Sequence, residues 1–166
     1  FKYGVSGVKI GEKWGIIDRT GKEIAPPKYN EIHEFHNGLA SFLINGYYGF
    51  MDKTGKEVVP PKYNGASYFL NGIASVKIGE KWGIIDSTGK EIIPTSYDGL
   101  FIDGYKDLGL IAFKFGKMWG FINIDGKEVV SPKYTAIHYN NILKLFSIID
   151  GNKAFYLDKN GREYKE

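Results

Sequence analysis

The chain has no cysteine and only two methionines among its 166 residues. Without cysteine there is no disulfide, no thiolate metal site and no cysteine nucleophile. That absence suits oxidising and reducing compartments alike, so location stays open. No apolar run approaches the roughly 18 residues that a membrane-spanning helix needs, so membrane insertion is not expected. Charge of one sign is also lacking. Lys and Arg number 22 against 19 Asp and Glu, a formal +3, with no run of five or more like charges, a balance too mild and too evenly spread to imply nucleic acid or an anionic membrane surface. The opening residues, FKYGVSGVKIG, lack a charged n-region and an apolar h-region, so no signal peptide is expected. Because they begin inside a repeat, the chain reads as a mature or trimmed piece of something longer. No segment carries a helical period.

What is abundant is aromatic and glycine. Tyr, Phe and Trp number 12, 11 and 3, and Gly 22, a mixture that favours strands and turns. The phrase KWGIIDSTGKEIIP at 81–94 returns nearly unchanged as KWGIIDRTGKEIAP at 13–26. Weaker copies run as YYGFMDKTGKEVVP at 47–60 and MWGFINIDGKEVVS at 118–131. The aromatic before glycine recurs at Trp14, Tyr48, Trp82 and Trp119, spaced by 34, 34 and 37 residues. Five repeats then tile the chain at about 4–37, 38–71, 72–108, 109–143 and 144–166. Together they are expected to form one domain over 1–166, of a size that can bury a core. The three extra residues fall in DGLFIDGYKDLG, 98–109, and are expected to lengthen a loop.

Each copy reads as three short strands. The first alternates, with Ala74, Val76 and Ile78 on one face and Ser75 and Lys77 on the other, the period of a half-buried strand. The second is KWGIID and the third KEIIP, which proline is expected to end because it lacks a ladder donor. A tyrosine, Tyr29, Tyr63, Tyr97 or Tyr134, is expected in the loop that follows. The carboxylates Asp18, Asp52, Asp86 and Asp158 share one phase with Asn123. An Asx side chain can accept a bond from the backbone N–H two residues on, while glycine supplies the positive φ of the turn. Asn keeps such a turn but cannot act as a charged base, so the column is expected to be structural. The fifth copy has Ala154-Phe155 in place of Trp-Gly and ends on polar Tyr164, Lys165 and Glu166, as a terminal cap would.

Other chemistry is weighed residue by residue. His33 and His36, beside Glu31 and Glu34, lack the three or four ligands of a zinc site, and His138 stands alone. No metal or cofactor is expected. The Thr-Gly-Lys triplets lead into strands rather than a helix, so they are hairpin turns and not phosphate loops. Trp14, Trp82 and Trp119 each share a strand face with an apolar residue two positions on, the pattern of a core layer. The four tyrosines are the better candidates for ligand binding, since loops carry function.

The residues KWGIIDxTGKEIIPPKY, followed by F..G.A.V, resemble the WG, or KWG, repeat family of bacterial proteins over almost the whole chain. The resemblance implies an all-β, propeller-like fold and an interaction module, and it associates no catalytic residue with the repeat. Two departures stand out: Tyr48 for tryptophan in copy two, and the Ala154-Phe155 exchange in copy five. The expected architecture is thus all-β, with five three-stranded antiparallel repeats of about 35 residues, propeller-like or an open β spiral. The expected function is non-enzymatic recognition or scaffolding, with a protein as partner. A carbohydrate or cell-wall ligand held by aromatic residues is the alternative.

Overall fold

The computed structural model describes residues 3–150 and 153–165. They form five antiparallel sheets in which strands lie side by side in chain order. The first sheet holds β1 (Val5–Ile10), β2 (Lys13–Asp18) and β3 (Glu23–Tyr29). The second holds β4 (Glu31–Ile32), β5 (Leu39–Ile44), β6 (Tyr47–Asp52) and β7 (Glu57–Tyr63). The third holds β8 (Gly65–Ala66), β9 (Ile73–Ile78), β10 (Lys81–Asp86) and β11 (Glu91–Tyr97). The fourth holds β12 (Gly99–Phe101), then a one-turn helix, α1 (Tyr105–Leu108), then β13 (Ile111–Phe115), β14 (Met118–Ile122) and β15 (Glu128–Tyr134). The fifth holds β16 (Ala136–Asn140), β17 (Leu145–Asp150), β18 (Lys153–Leu157) and β19 (Glu163–Lys165). Glu166, assigned from sequence to the polar cap, lies outside the described residues. Two compact units result, one of residues 1–79 with 84–91 and the other of residues 80–83 with 92–166. Among the described residues no helix is long and apolar enough to cross a membrane.

The sheets depart from the expected three strands by a fourth strand in every sheet after the first, two residues long in β4 and β8 and five in β16. β4 pairs Glu31 with Leu43 and Ile32 with Phe42, and β8 pairs Gly65 with Lys77. A side chain fixes the approach of β4, β8 and β12. Asn30 accepts from the Asn45 N–H at 3.1 Å, Asn64 from Gly79 at 2.7 Å and Asp98 from Gly116 at 2.7 Å. The residue after Tyr29, Tyr63 and Tyr97 thereby clips its strand to the tip of the next hairpin, whereas Thr135, after Tyr134, donates its hydroxyl to the Ile149 carbonyl at 3.0 Å. The lengthened segment 98–109 holds β12 and then α1, whose C-capping Gly109 takes φ 69° and donates to the Tyr105 carbonyl.

Proline does not end the third strand. β3 runs through Pro26 and Pro27 to Tyr29, because both lie in a bulge. Trp14 pairs with Tyr29 and Ile16 with Ala25, so one residue on β2 faces three on β3. The same shift separates Tyr48↔Tyr63 from Phe50↔Val59 and Trp119↔Tyr134 from Phe121↔Val130. Residues in a bulge are released from the ladder, which is where proline is tolerated. The bulged backbone folds tightly over the glycine of the Trp-Gly pair. A Cβ on Gly15 would lie 2.7 Å from the Ala25 carbonyl oxygen, and one on Gly49 2.6 Å from that of Val59. Copy five has Phe155 at this phase, and β18 pairs with β19 without a register shift. The glycine and the bulge occur together.

The alternation in β5 divides side chains between two cores rather than between core and solvent. Ala40 and Phe42 of β5 pack with Ile16, Ala25 and Tyr29 of the first sheet, whereas Leu39 packs with Ala74 and Val76 of the third. Ser75, expected on the face opposite the apolar one, is 7% exposed, and Ser41, at the same phase of β5, is 4% exposed. Past this shared region the strands emerge into solvent, so Ile78 and Phe115 lie exposed despite their apolar phase. In the second unit Phe121, Val130 and Tyr134 pack with Phe146, Ile148 and Leu157.

The aspartate column makes the expected turns. The Asp86 carboxylate accepts from the Thr88 N–H at 2.8 Å, the Thr88 hydroxyl at 2.6 Å and the Lys90 N–H at 3.1 Å. Asp18 and Asp52 repeat this set. Asn123 accepts from Asp125 and Lys127, and Asp158 from Asn160 and Arg162. The Thr20 and Thr88 hydroxyl bonds, with the turn amides, hold Asp18 and Asp86 below the ordinary value of 3.8. At Asp52 burial acts upward, but Thr54 and the amides outweigh it. At Asp158 the Arg162 amide leads the lowering. A carboxyl depressed in the folded state stabilises above its unfolded pKa, and that contribution is lost as pH falls through the folded value. Denaturation midpoints should therefore drop below about pH 3.8. Asp86→Asn, which cannot titrate, should lose less on acidification than the parent protein, as urea curves at neutral pH and at about pH 3 would show.

Candidate functional site

Two of the repeated Lys-Tyr pairs hold neighbouring copies together. The Lys28 ammonium lies 2.9 Å from Glu57 Oε1, to which the Tyr29 hydroxyl also donates at 2.9 Å. Lys133 and Tyr134 reach Glu163 at 3.0 and 2.9 Å. Each lysine also sits over the ring of the tyrosine that follows it, Lys28 at 5.1 Å, Lys62 at 5.1 Å and Lys133 at 5.0 Å. Glu163 is held below its ordinary range by Lys133 first and Tyr134 second. At Glu57 burial pushes upward, and Lys28 and Tyr29 overcome it. The ions are largely exposed, so the pairs add about 0–1 kcal/mol each and chiefly fix register.

Three of the four candidate tyrosines lie in the core instead of a loop. Tyr29, Tyr63 and Tyr134 end their strands at 1% exposure each. The Tyr29 ring packs on Phe42 at 4.8 Å between centroids, and the Tyr134 ring on Phe155 at 5.6 Å. Tyr97 differs. It is half-buried and lines a cavity of about 340 Å³ with Phe113, Phe115, Ile122, Glu128 and Pro132. Its ring meets Phe113 edge-on, with centroids 5.0 Å apart.

The tryptophans are half-buried rather than central. Trp14 and Trp119 flank cores filled by the residues two positions on, Ile16 and Phe121, both 0% exposed, and Trp82 is likewise half-buried. Indole is larger than the strip between adjacent strands can cover, and one edge reaches the surface.

Trp14 borders one cavity of the first unit. That cavity, about 290 Å³, is lined by Val5, Ser6, Gly7 and Trp14 and by residues 32–35. A second, about 300 Å³, shares His33 and Glu34 with it and adds His36, Ser41, Ala66, Ser67 and Tyr68. Residues 31–38, β4 and the loop after it, therefore form a ridge between two grooves. Its end is an Asn-Gly turn, with Asn37 at φ 51° and Gly38 at φ 84°, a pair suited to positive φ at both positions. Phe35, 6% exposed, anchors the ridge beneath. His33 Nδ1 lies 2.9 Å from Ser41 Oγ, and its Nε2 lies 3.3 Å from Glu31. The His36 ring packs on Tyr68, itself 52% exposed, with centroids 4.7 Å apart. Among the described residues no group of three or more His, Asp and Glu side chains could hold a metal ion. His138 is exposed on β16. The ridge was missed as a site because it was read only for metal ligands; the signal was its divergence from GASYFLNG, the same phase of the next copy.

These features define a class: an all-β protein of sheet repeats that share cores with their neighbours. The chain belongs to the family of WG-containing repeats, whose pattern matches residues 14–48, 48–82, 82–118 and 119–141. No curated protein sequence matches it. Among solved structures it is similar to Hsv2 of Kluyveromyces marxianus, with TM-score 0.54 and 9% identity over 100% of this chain and 60% of that one. Hsv2 of Kluyveromyces lactis gives 0.52 and 14%, over 98% and 59%. A eukaryotic initiation factor gives 0.53 and 11%, over 98% and 49%. The likeness to the Hsv2 β-propellers is one of fold, in keeping with the all-β, propeller-like class. The chain spans about three fifths of the Hsv2 chains and about half of the initiation factor.

Proposed function

We propose that the chain is a non-catalytic recognition module for protein, and that it binds through the ridge 31–38 and its two grooves. The observation that carries this reading is a division of labour. Residues repeated from copy to copy make turns, bulges and clamps, while the ridge and the exposed Tyr68 are particular to their copies. Aromatic and imidazole rings beside an apolar groove are the side chains that protein interfaces favour. No cofactor enters this reading. The test is a proximity cross-linking and co-purification experiment with the intact chain against its double variant His36→Ala, Tyr68→Ala. A partner protein retained by the first and lost by the second, with unchanged denaturation midpoints, is the expected result. Equal retention would sink the ridge as the interface.

One observation favours a glycan as a second reading. Trp14 opens part of its indole onto a groove that also holds His33 and Glu34, and an aromatic face with nearby polar groups suits a sugar ring. Glycan binding abolished by Trp14→Ala but kept in the double variant would select it over a protein partner.

A further inference from the structure

The third copy lacks a part that the other tyrosines have. Tyr29, Tyr63 and Tyr134 each carry a lysine ammonium over the ring. In the first and fourth copies that ammonium and the phenol close on a glutamate of the following copy. Ahead of Tyr97 the lysine is replaced by Ser96. The glutamate at the matching phase, Glu128, is present on β15, where its Oε1 accepts from the Ser131 hydroxyl at 2.5 Å. Tyr97 is the one of the four left half-buried, and the space beside it is the cavity of about 340 Å³. The wall of that cavity is apolar apart from the phenol and the carboxylate. Phe115, 63% exposed, stands with Phe113 and Pro132 where an alkyl stem would run.

We propose that this cavity receives a lysine side chain of a partner polypeptide, its ammonium taking the place that Lys28 and Lys133 occupy in their own copies. The stem would pack on Phe113, Phe115 and Pro132, and the ammonium would lie over the Tyr97 ring and pair with Glu128. An aromatic face and a carboxylate both attract a cation that an apolar wall has partly desolvated. This deepens the reading of the chain as a protein-recognition module and rests on it. It concerns a different surface from the ridge 31–38.

The test is a backbone-amide NMR titration of the intact chain with Nα-acetyl-lysine N-methylamide. The uncharged norleucine analogue and cadaverine serve as the other two arms. The expected result is a saturable shift of the Tyr97, Phe113 and Glu128 amides with the lysine probe and none with norleucine. Glu128→Gln should weaken it about tenfold, the size of one charge-assisted bond. Ser96→Lys, which supplies the missing ammonium within the chain, should abolish the shift and raise the denaturation midpoint. Norleucine binding as well as lysine would mean a merely apolar cavity and overturn the proposal. So would a lysine response indifferent to Ser96→Lys, or no response at tens of millimolar probe. Cadaverine binding more tightly than the lysine probe would point to a free amine and reject the partner lysine. None of these outcomes touches the His36 and Tyr68 variants, so the recognition reading stands or falls separately.

Discussion

Removing residues 144–166 should abolish cooperative folding of the second unit rather than trim an edge. Phe146, Ile148 and Leu157 are 0% exposed and Phe155 is 8% exposed. They fill the same core as Phe121, Val130, Tyr134 and Tyr139. Phe146 alone meets Phe121 at 4.7 Å and Tyr139 at 5.2 Å between ring centroids. Four buried apolar side chains contribute about 1.5–3 kcal/mol each. Their sum rivals the whole stability of an ordinary domain, roughly 5–15 kcal/mol. The deletion also takes Glu163 from Lys133 and Tyr134. Urea denaturation followed by near-UV circular dichroism and by tryptophan fluorescence gives the readout. Trp119, bordering the lost core, should report a broad, non-cooperative transition. An unchanged midpoint would mean that copies do not share their cores.

The second large effect is expected from a single methyl group. In Gly49→Ala the new Cβ would sit 2.6 Å from the Val59 carbonyl oxygen and 2.9 Å from Pro61 N. Both are backbone atoms of the bulge, locked by the Tyr48↔Tyr63 and Phe50↔Val59 pairs on either side. The strand must shift or the bulge must open, at a cost of about 3 kcal/mol, the upper range for overpacking a tight site. Gly7→Ala is the control. Its Cβ would meet the Trp14 ring at 3.4 Å, an ordinary contact, and the midpoint should move little. Equal effects from the two substitutions would disconnect the Trp-Gly glycine from the bulge.

Much of this fold is legible in the sequence, and what is hidden has physical causes. The repeat and the Asx-Gly turn can be read because a turn depends on a few neighbouring residues whose types are constrained locally. The fourth strand is not legible, since Glu31–Ile32 and Gly65–Ala66 are too short to show a period. Its signal was instead the polar residue after Tyr29, Tyr63 and Tyr97, namely Asn30, Asn64 and Asp98, which binds a hairpin tip. Proline was read as a stop because the bulge that accommodates it exists only in the pairing of two strands. That error also moved the tyrosines into loops. Alternation in β5 was correctly seen as strand, but one face of a strand can bury against one neighbour and the opposite face against another. Ser41 and Ser75 are interior for that reason. Of the four candidate tyrosines, Tyr97 is the one found beside open space. It stands out in the sequence itself, as the one tyrosine of the four preceded by serine.

The central claim is that the recurring phrase is a unit of folding, and its carboxylates test it most directly. Asp86 lies in the most regular copy and uses one oxygen for three bonds within its turn. Asn123 holds the corresponding turn with an amide oxygen. The measurement is the urea midpoint of Asp86→Asn and Asp86→Ala at neutral pH, with partner binding measured on the same samples. Asn should leave both nearly unchanged, while Ala should cost about 1 kcal/mol of stability, the loss of a local hydrogen-bond acceptor. A fully folded Asp86→Asn protein that has lost its binding or any activity would contradict the account, because the charge would then serve a site and not a turn.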